Sequence, residues 1–565
     1  MGYRQRSTAT IFLSILLGFS ATGRAQTPTP APPAAGQLPP IAVVPQPASL
    51  TQQPGVFTLK RDTAIVTDVD SQGAGQLLAQ ALSNATKFGL RARSGTSAPD
   101  RNTIVITTDR ALTQLGEEGY QLDVTPDRIM IRSFGPAGAF YGTQTLRQLL
   151  PPQIFSQEQV SASVNWTIPC LKIEDMPRFF WRGLMIDSAR RFVPKAELMK
   201  FIDVMALHKM NILQLHLTDD QGWRIEIKKY PKLTAIGSVR KETRVGHESK
   251  SKLFDGTPVS GFYTQGDIRE IVTYAKARFV NIVPEIELPG HVQAAIASYP
   301  ELGVTTDAIE VSTHWGVHTR LLNPSEATIQ FFQDVLTEVI ALFPSRYIHV
   351  GGDEVVKDEW KASPAVQSQM KSLSLKDEGE LQNYFIRRMN EFLTQRGRRL
   401  VGWDEILQGG PSPGAVIMSW RGTEGGTAAA KSNHDVVMTP TAFTYFDYYQ
   451  SQNPTEPLAI GGFLPLDKVY GFEPVPSGLS AEEAKHILGA QGQLWTEYIS
   501  NASHLEYMAF PRAAALAEVD WSQPDRKNFD DFRTRLMTHE LRLKLLGVSF
   551  RPMAKYDEDR KQMTK

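Results

Sequence analysis

From residue 182 onward the chain alternates short apolar runs with longer stretches that repeat apolar residues every three or four positions. Strand-like runs occupy 183–187, 211–217, 279–283, 347–350, 399–401, 415–418, 435–438 and 489–494. Helical spacing occupies 195–207, 267–278, 327–343 and 380–396. Eight such runs, most of them separated by helix, predict a (β/α)8 TIM barrel enlarged by loop insertions. The chain before it has a different texture. Strand-like runs at 64–67 and 103–106, a helical stretch at 75–88, a hairpin at 119–132 turning at Pro126-Asp127, and a helix from 138 stopped by Pro151-Pro152 predict a small α+β domain with an antiparallel sheet. The organisation expected is an export signal over 1–25, a Pro-rich linker over 26–40, the α+β domain over 41–176, the barrel over 177–545 and a C-terminal tail over 546–565, with 556–565 a solvated stretch.

The polar residues at the ends of the barrel runs carry the functional information. Asp187, Asp219-Asp220, Glu285 and Glu287, Asp353-Glu354, Trp403-Asp404-Glu405, Trp420, Tyr445 and Asp447, and Trp495 and Glu497 all follow an apolar run on its C-terminal side. Barrel enzymes build their active sites on that face. In Tyr347-Ile348-His349-Val350-Gly351-Gly352-Asp353-Glu354 a buried run breaks at two glycines and presents two adjacent carboxyls. Alone, the pair also reads as the dipole-favoured start of a helix. The company of acids and tryptophans after the other runs turns the reading towards acid–base chemistry on a polar substrate.

Composition changes this picture little. Of 565 residues 41% are hydrophobic and 21% charged, and 60 basic residues balance 60 acidic ones. That balance offers no attraction for nucleic acid or an anionic membrane, and suits a neutral carbohydrate or peptide substrate. Arg4 and Arg6 before a short apolar core at 11–19, then Gly23-Arg24-Ala25, form an export signal too short to span a membrane. Periplasmic or secreted location is expected, with no membrane anchor after cleavage. Six prolines in 26–40 make a spacer. The single cysteine, Cys170, sits in an apolar context and reads as packing. His208 and His216 read as structural histidines within a helix and a strand.

The barrel half resembles glycoside hydrolase family 20, the β-N-acetylhexosaminidases. The residues that carry the resemblance are His349-Val350-Gly351-Gly352-Asp353-Glu354, Asp187-Ser188-Ala189-Arg190, His216-Leu217-Thr218-Asp219-Asp220, Pro289-Gly290-His291 and Leu494-Trp495-Thr496-Glu497, with Val44-Pro45-Gln46-Pro47 resembling the start of the family's small domain. The resemblance implies exo-acting removal of terminal, non-reducing GlcNAc or GalNAc with retention, the substrate's 2-acetamido oxygen acting as nucleophile. It further implies Glu354 as acid/base and Asp353 as the group orienting the acetamido. Tyr445 would bond the acetamido oxygen, and Trp403, Trp420 and Trp495 would wall the pocket. Arg190, Asp447 and Glu497 would hold the far hydroxyls, with Asp219 and His291 behind Glu354. No cofactor and no metal are implied; the partner is the carbohydrate, and the oligomeric state is left open. Glu287 departs from the family's usual Asp, which puts its support of His291 in question. Two other readings stand beside this one. A metal-dependent barrel hydrolase could use His216, Asp219, Asp220, His291 and His349, but the chain lacks a His-X-His or His-Glu-X-X-His pair. A non-catalytic sugar-binding barrel would not need both Asp353 and Glu354.

Overall fold

The structure, a computed structural model, describes residues 41–563 apart from 96, 159 and 161–163. The expected export signal and linker lie outside the described residues. The first strands are β1 (Ser49–Thr58), β2 (Ala64–Thr67), β3 (Ala92–Ser94), β4 (Thr103–Thr108), β5 (Tyr120–Val124), β6 (Arg128–Ser133) and β7 (Thr167–Asp175). They form one sheet in the order β1-β7-β5-β6-β4-β2-β3. β5 alternates buried and half-buried residues, as one face of a covered sheet requires. The sheet is antiparallel over β1, β7, β5 and β6, with β5 and β6 paired as the expected hairpin. It is parallel over β6, β4, β2 and β3, which corrects the purely antiparallel expectation. The helix Gln72–Thr86 crosses between β2 and β3, and such a crossover returns the chain in the same direction.

The barrel strands are β8 (Trp181–Asp187), β9 (Ile212–His216), β12 (Asn281–Leu288), β13 (Tyr347–Gly351), β14 (Arg399–Trp403), β15 (Val416–Ser419), β16 (Val436–Met438) and β17 (Ile487–Leu494). Between β9 and β12 a short ribbon of β10 (Thr218–Asp219) and β11 (Gly222–Trp223) folds over the strand ends. All eight barrel pairs are parallel, and β17 closes on β8. Covered by helices outside and side chains inside, these strands are buried almost throughout, which is why they read as continuous apolar runs. Trp181, Ile212, Val283, Tyr347, Val401, Val416, Met418 and Val437 pack as an interior cluster capped by Trp403. The barrel is therefore a filled core with Trp403 as a floor on its C-terminal side.

The outer helices start where the chemistry of caps puts them. Thr264 and Asp267 form a capping box for Gln265–Lys276, and Ser325 and Asp377 cap Glu326–Leu342 and Glu378–Thr394. The sheet and the barrel belong to one compact unit, Ile41–Lys565. Pro136–Leu149 is buried on nearly every face because it lies between them. Polar contacts cross the same junction: Lys209 Nζ donates to Asp175 at 2.7 Å, and Arg182 pairs with Glu118 at 2.7 Å. Among the described residues after 546, not all are solvated. The helix Met553–Met563 buries Met553 and Tyr556, and Arg551 pairs with buried Glu456 at 2.7 Å. Two apolar residues three apart in a charged stretch are too faint a pattern to read as a docked helix. No helix among the described residues is long and apolar enough to cross a membrane.

Candidate active site

The candidate site begins at the end of β13. Gly351 and Gly352 both have positive φ, 66° and 91°. A Cβ at 351 would stand 1.7 Å from Glu287 Oε2, and one at 352 would stand 2.7 Å from the Ile406 side chain. Only glycine satisfies both demands, left-handed backbone and close approach. The turn delivers Asp353, mostly buried, and Glu354, whose side chain is 37% exposed, to the C-terminal mouth of the barrel. Glu354 and His291 themselves hold φ of 47° and 52°. Non-glycine residues in that region mark places where the surroundings fix a costly backbone, and such places cluster at functional sites.

His291, at the loop after β12, faces both acids. Its Nε2 lies 3.4 Å from Glu354 Oε2 and 3.8 Å from Asp353 Oδ2. Its Nδ1 lies 3.1 Å from Asp220 and 3.3 Å from Asp219. Burial opposes a charge on this imidazole, but the surrounding carboxylates outweigh it and raise His291 well above the usual histidine range. Asp219 is held well below the ordinary carboxylate range. Burial opposes this, but Arg190, whose Nη2 lies 2.7 Å away, and His291 outweigh it. Asp353 moves the other way. Burial, with the nearby Glu354 and Glu285 charges, pushes it up to about 6 against the pull of His291.

One cavity of about 200 Å³ gathers Arg190, His291, Asp353, Glu354, Trp403, Trp420, Tyr445, Asp447, Trp495 and Glu497. Every residue to which the resemblance gave a role is there except Asp219, which stands behind His291 and Arg190. The size is below the roughly 300–1,000 Å³ of pockets that take drug-sized ligands, so there is room for about one sugar ring. Trp403 and Trp495 pack at 5.9 Å, and Tyr445 stacks beside Trp420 at 6.3 Å, which makes apolar walls. Glu405 accepts from Trp420 Nε1 at 3.0 Å and fixes that ring. Both carboxyl oxygens of Asp447 and Glu497 Oε2 are buried with no partner among the described residues. Buried polar atoms without partners at a cavity wall are groups waiting for a polar ligand.

Two models of glycosyl hydrolase family 20 match the chain, the catalytic domain over residues 179–524 and domain 2 over residues 40–176. The chain belongs to glycosyl hydrolase family 20. A beta-hexosaminidase of Porphyromonas gingivalis is 42% identical over 513 residues, which is 90% of this chain and 64% of that relative's length. An exo beta-N-acetylglucosaminidase of Vibrio harveyi, solved with N-acetylglucosamine, superposes with a TM-score of 0.79 at 33% identity, covering 91% of this chain and 78% of that one. A mutant beta-hexosaminidase of Streptomyces plicatus, solved with product GlcNAc, gives 0.79 at 31% identity over 91% of this chain and 97% of its own.

Around this family-20 site stand several residues to which the resemblance assigned no role. His216 is buried as a core histidine, but its Nε2 also bonds Asp219 at 2.9 Å and its Nδ1 lies 2.7 Å from Glu285. Burial works against its charge, yet these acids push it up to about 10. Glu285 also accepts from Trp403 Nε1 at 3.0 Å and from Gln214 at 2.7 Å, so one carboxylate beneath the floor fixes the floor's ring. Asp220 shares the hold on His291 Nδ1, and Gln221 accepts from Arg190 Nε at 2.9 Å. Tyr448, Thr441 and Ile460 complete the lining. Glu287 makes no hydrogen bond to His291. Both its oxygens are buried and unpartnered among the described residues, and burial with the nearby Asp353 raises it well above the usual range. His216-Glu285-Glu287, Asp219-Asp220-His291 and His291-Asp353-Glu354 each bring three ligand-type atoms within 4.8 Å. In each cluster the imidazole faces carboxylates that favour its charged form, which ties the acids and histidines together as ion pairs.

Proposed function

We propose that this protein is an exo-acting β-N-acetylhexosaminidase that removes terminal non-reducing GlcNAc or GalNAc by a retaining, substrate-assisted route. The observation that carries this is the adjacent pair Asp353 and Glu354, both against His291 Nε2, at the mouth of a one-ring cavity. An oxygen of each acid lies within 4.8 Å of the other.

The roles follow from the surroundings. Glu354 is the more exposed acid, so it is the one that gives the glycosidic oxygen a proton and later takes one from water. Asp353 is mostly enclosed, and its Oδ1 has no partner among the described residues. It accepts the acetamido N–H, turns the acetyl oxygen towards the anomeric carbon, and offsets the positive charge of the oxazolinium that forms. Tyr445 donates to the acetyl oxygen, and the tryptophans enclose the methyl and the sugar face. Arg190, Asp447 and Glu497 take the far hydroxyls, which closes the pocket to an internal residue of a chain.

Two outcomes test this. A defined β-linked N-acetylglucosamine oligomer is expected to shorten by one terminal sugar at a time; internal fragments among the first products would contradict the exo reading, and no turnover would leave only a sugar-binding barrel. For a labile aryl glycoside, kcat/KM is expected to fall as pH drops through about 6, because Asp353 then takes the proton that blocks its acceptor role. A level profile down to pH of about 4.5 would remove the need for its charge.

A further inference from the structure

A second cavity, of about 260 Å³, lies away from the proposed active site, between the helices Gln72–Thr86 and Pro136–Leu149 of the first domain and the helices Lys195–Leu207 and Gln265–Lys276 of the barrel. Its charge is unusual. Arg147 and Arg278 both line it, and one carboxylate, Asp203, faces them. Asp203 is fully engaged on one side of the cavity: one oxygen takes Arg278 Nε and the other accepts from Tyr274 Oη at 2.8 Å. Arg147 has no carboxylate within 4.0 Å among the described residues. Its guanidinium donates to the neutral Gln144 side chain at 2.9 Å, while its Nε is buried and unpartnered among those residues.

Both guanidiniums are held in place by rings. Arg147 lies 4.8 Å from the centre of Phe155, and Arg278 lies 3.4 Å from that of Tyr274. Aromatic faces fix planar guanidiniums without neutralising them. Burial lowers Arg147 to about 10, and the like charge of Arg278 adds to that against the pull of Asp203. A half-buried arginine with an enclosed, unpartnered Nε and no carboxylate beside it is stabilised by a ligand that supplies one.

We infer that the cavity between Arg147 and Arg278 binds a small organic acid through one carboxylate, the body of the ligand being hydroxylated. Two arginines against one aspartate leave one positive charge, which matches a monoanion better than a dianionic phosphate. The fork of a guanidinium suits a carboxylate bidentately. Gln80, Asn84 and Gln157 on the rim offer neutral amides to hydroxyl groups. A sugar acid has this chemistry.

Glucuronic acid is the probe, with glucose as the neutral control and inorganic phosphate as the dianion control, each titrated calorimetrically into the full chain. Glucuronate is expected to bind, glucose not, and phosphate more weakly. Arg147→Gln is expected to weaken glucuronate by at least about tenfold, as loss of a charge-assisted bond does, and Arg147→Lys by less. Cleavage of an aryl glycoside and the melting temperature without ligand should not fall in Arg147→Gln, since the variant removes an uncompensated charge. Equal binding of glucose, tighter binding of phosphate, or undiminished glucuronate binding by Arg147→Gln would overturn the assignment.

Discussion

Glu354→Gln is expected to lower kcat for an aryl β-N-acetylglucosaminide by about 10²–10⁴-fold, the usual contribution of a general acid/base. The exchange keeps the shape of the side chain and its place 3.4 Å from His291, so the loss is one of proton transfer and not of binding. A glutamine cannot protonate the departing oxygen, and it cannot take a proton from the water that opens the oxazolinium. The size of the loss should depend on the leaving group. A nitrophenolate departs with little help, so its first step suffers less than that of a sugar alcohol. KM should change little, and the melting temperature should stay near that of the parent. A variant with full rate on an oligosaccharide would mean that another group moves the proton.

Asp353→Asn is expected to cost about 10²–10³-fold in kcat, in the range for removal of one preorganised electrostatic contact. It is also expected to make the protein more stable at neutral pH. The carboxyl of Asp353 is raised from 3.8 to about 6 in the fold. A group raised in this way favours folding below its unfolded value, and that contribution is lost as pH rises through about 6. At pH 7.5 the buried, ionised carboxylate therefore weighs against the fold by an amount on the order of 1–3 kcal/mol. Asparagine removes that charge. Melting curves should place the variant above the parent at pH 7.5 and close to it at pH 4. Lower stability together with lost activity would point to a structural role for Asp353 in place of the electrostatic one.

The barrel was legible because its strands are buried on both sides, which leaves eight apolar runs that do not alternate. Their C-terminal residues were legible as a site because acids and tryptophans do not otherwise collect at the ends of buried strands. Of two neighbouring arginines, Arg190 lines the candidate cavity, whereas Arg191 lines another groove. The support under the site was hidden. His216 and His349 lie inside strands, where a polar residue between apolar neighbours looks like an isolated core residue, and Glu285 reads from the sequence as one more strand-end acid. Only closure of the barrel brings Glu285 Oε1 to 2.9 Å from His349 and Oε2 to 2.7 Å from His216. The sharing of His291 between Asp219 and Asp220 depends on the turn of a two-strand ribbon, which leaves no periodic mark. The exchange of Asp for Glu at 287 could be noticed in the sequence, but its consequence is geometric. The carboxyl of Glu287 rests against the Cα of Gly351, where any side chain would collide with it. The parallel half of the first sheet was hidden for a similar reason, since a short strand looks alike in either direction.

The most direct test of the account is a series of aryl glycosides in which the substrate's acetamido methyl carries no fluorine, then one, two and three. Fluorine withdraws electrons from the acetyl oxygen and leaves the leaving group and the sugar hydroxyls unchanged. If that oxygen attacks the anomeric carbon while Asp353 orients it, kcat/KM falls steeply and steadily with each fluorine. A rate that is indifferent to fluorination would mean that a side chain of the protein is the nucleophile, and the division of labour between Asp353 and Glu354 would be wrong.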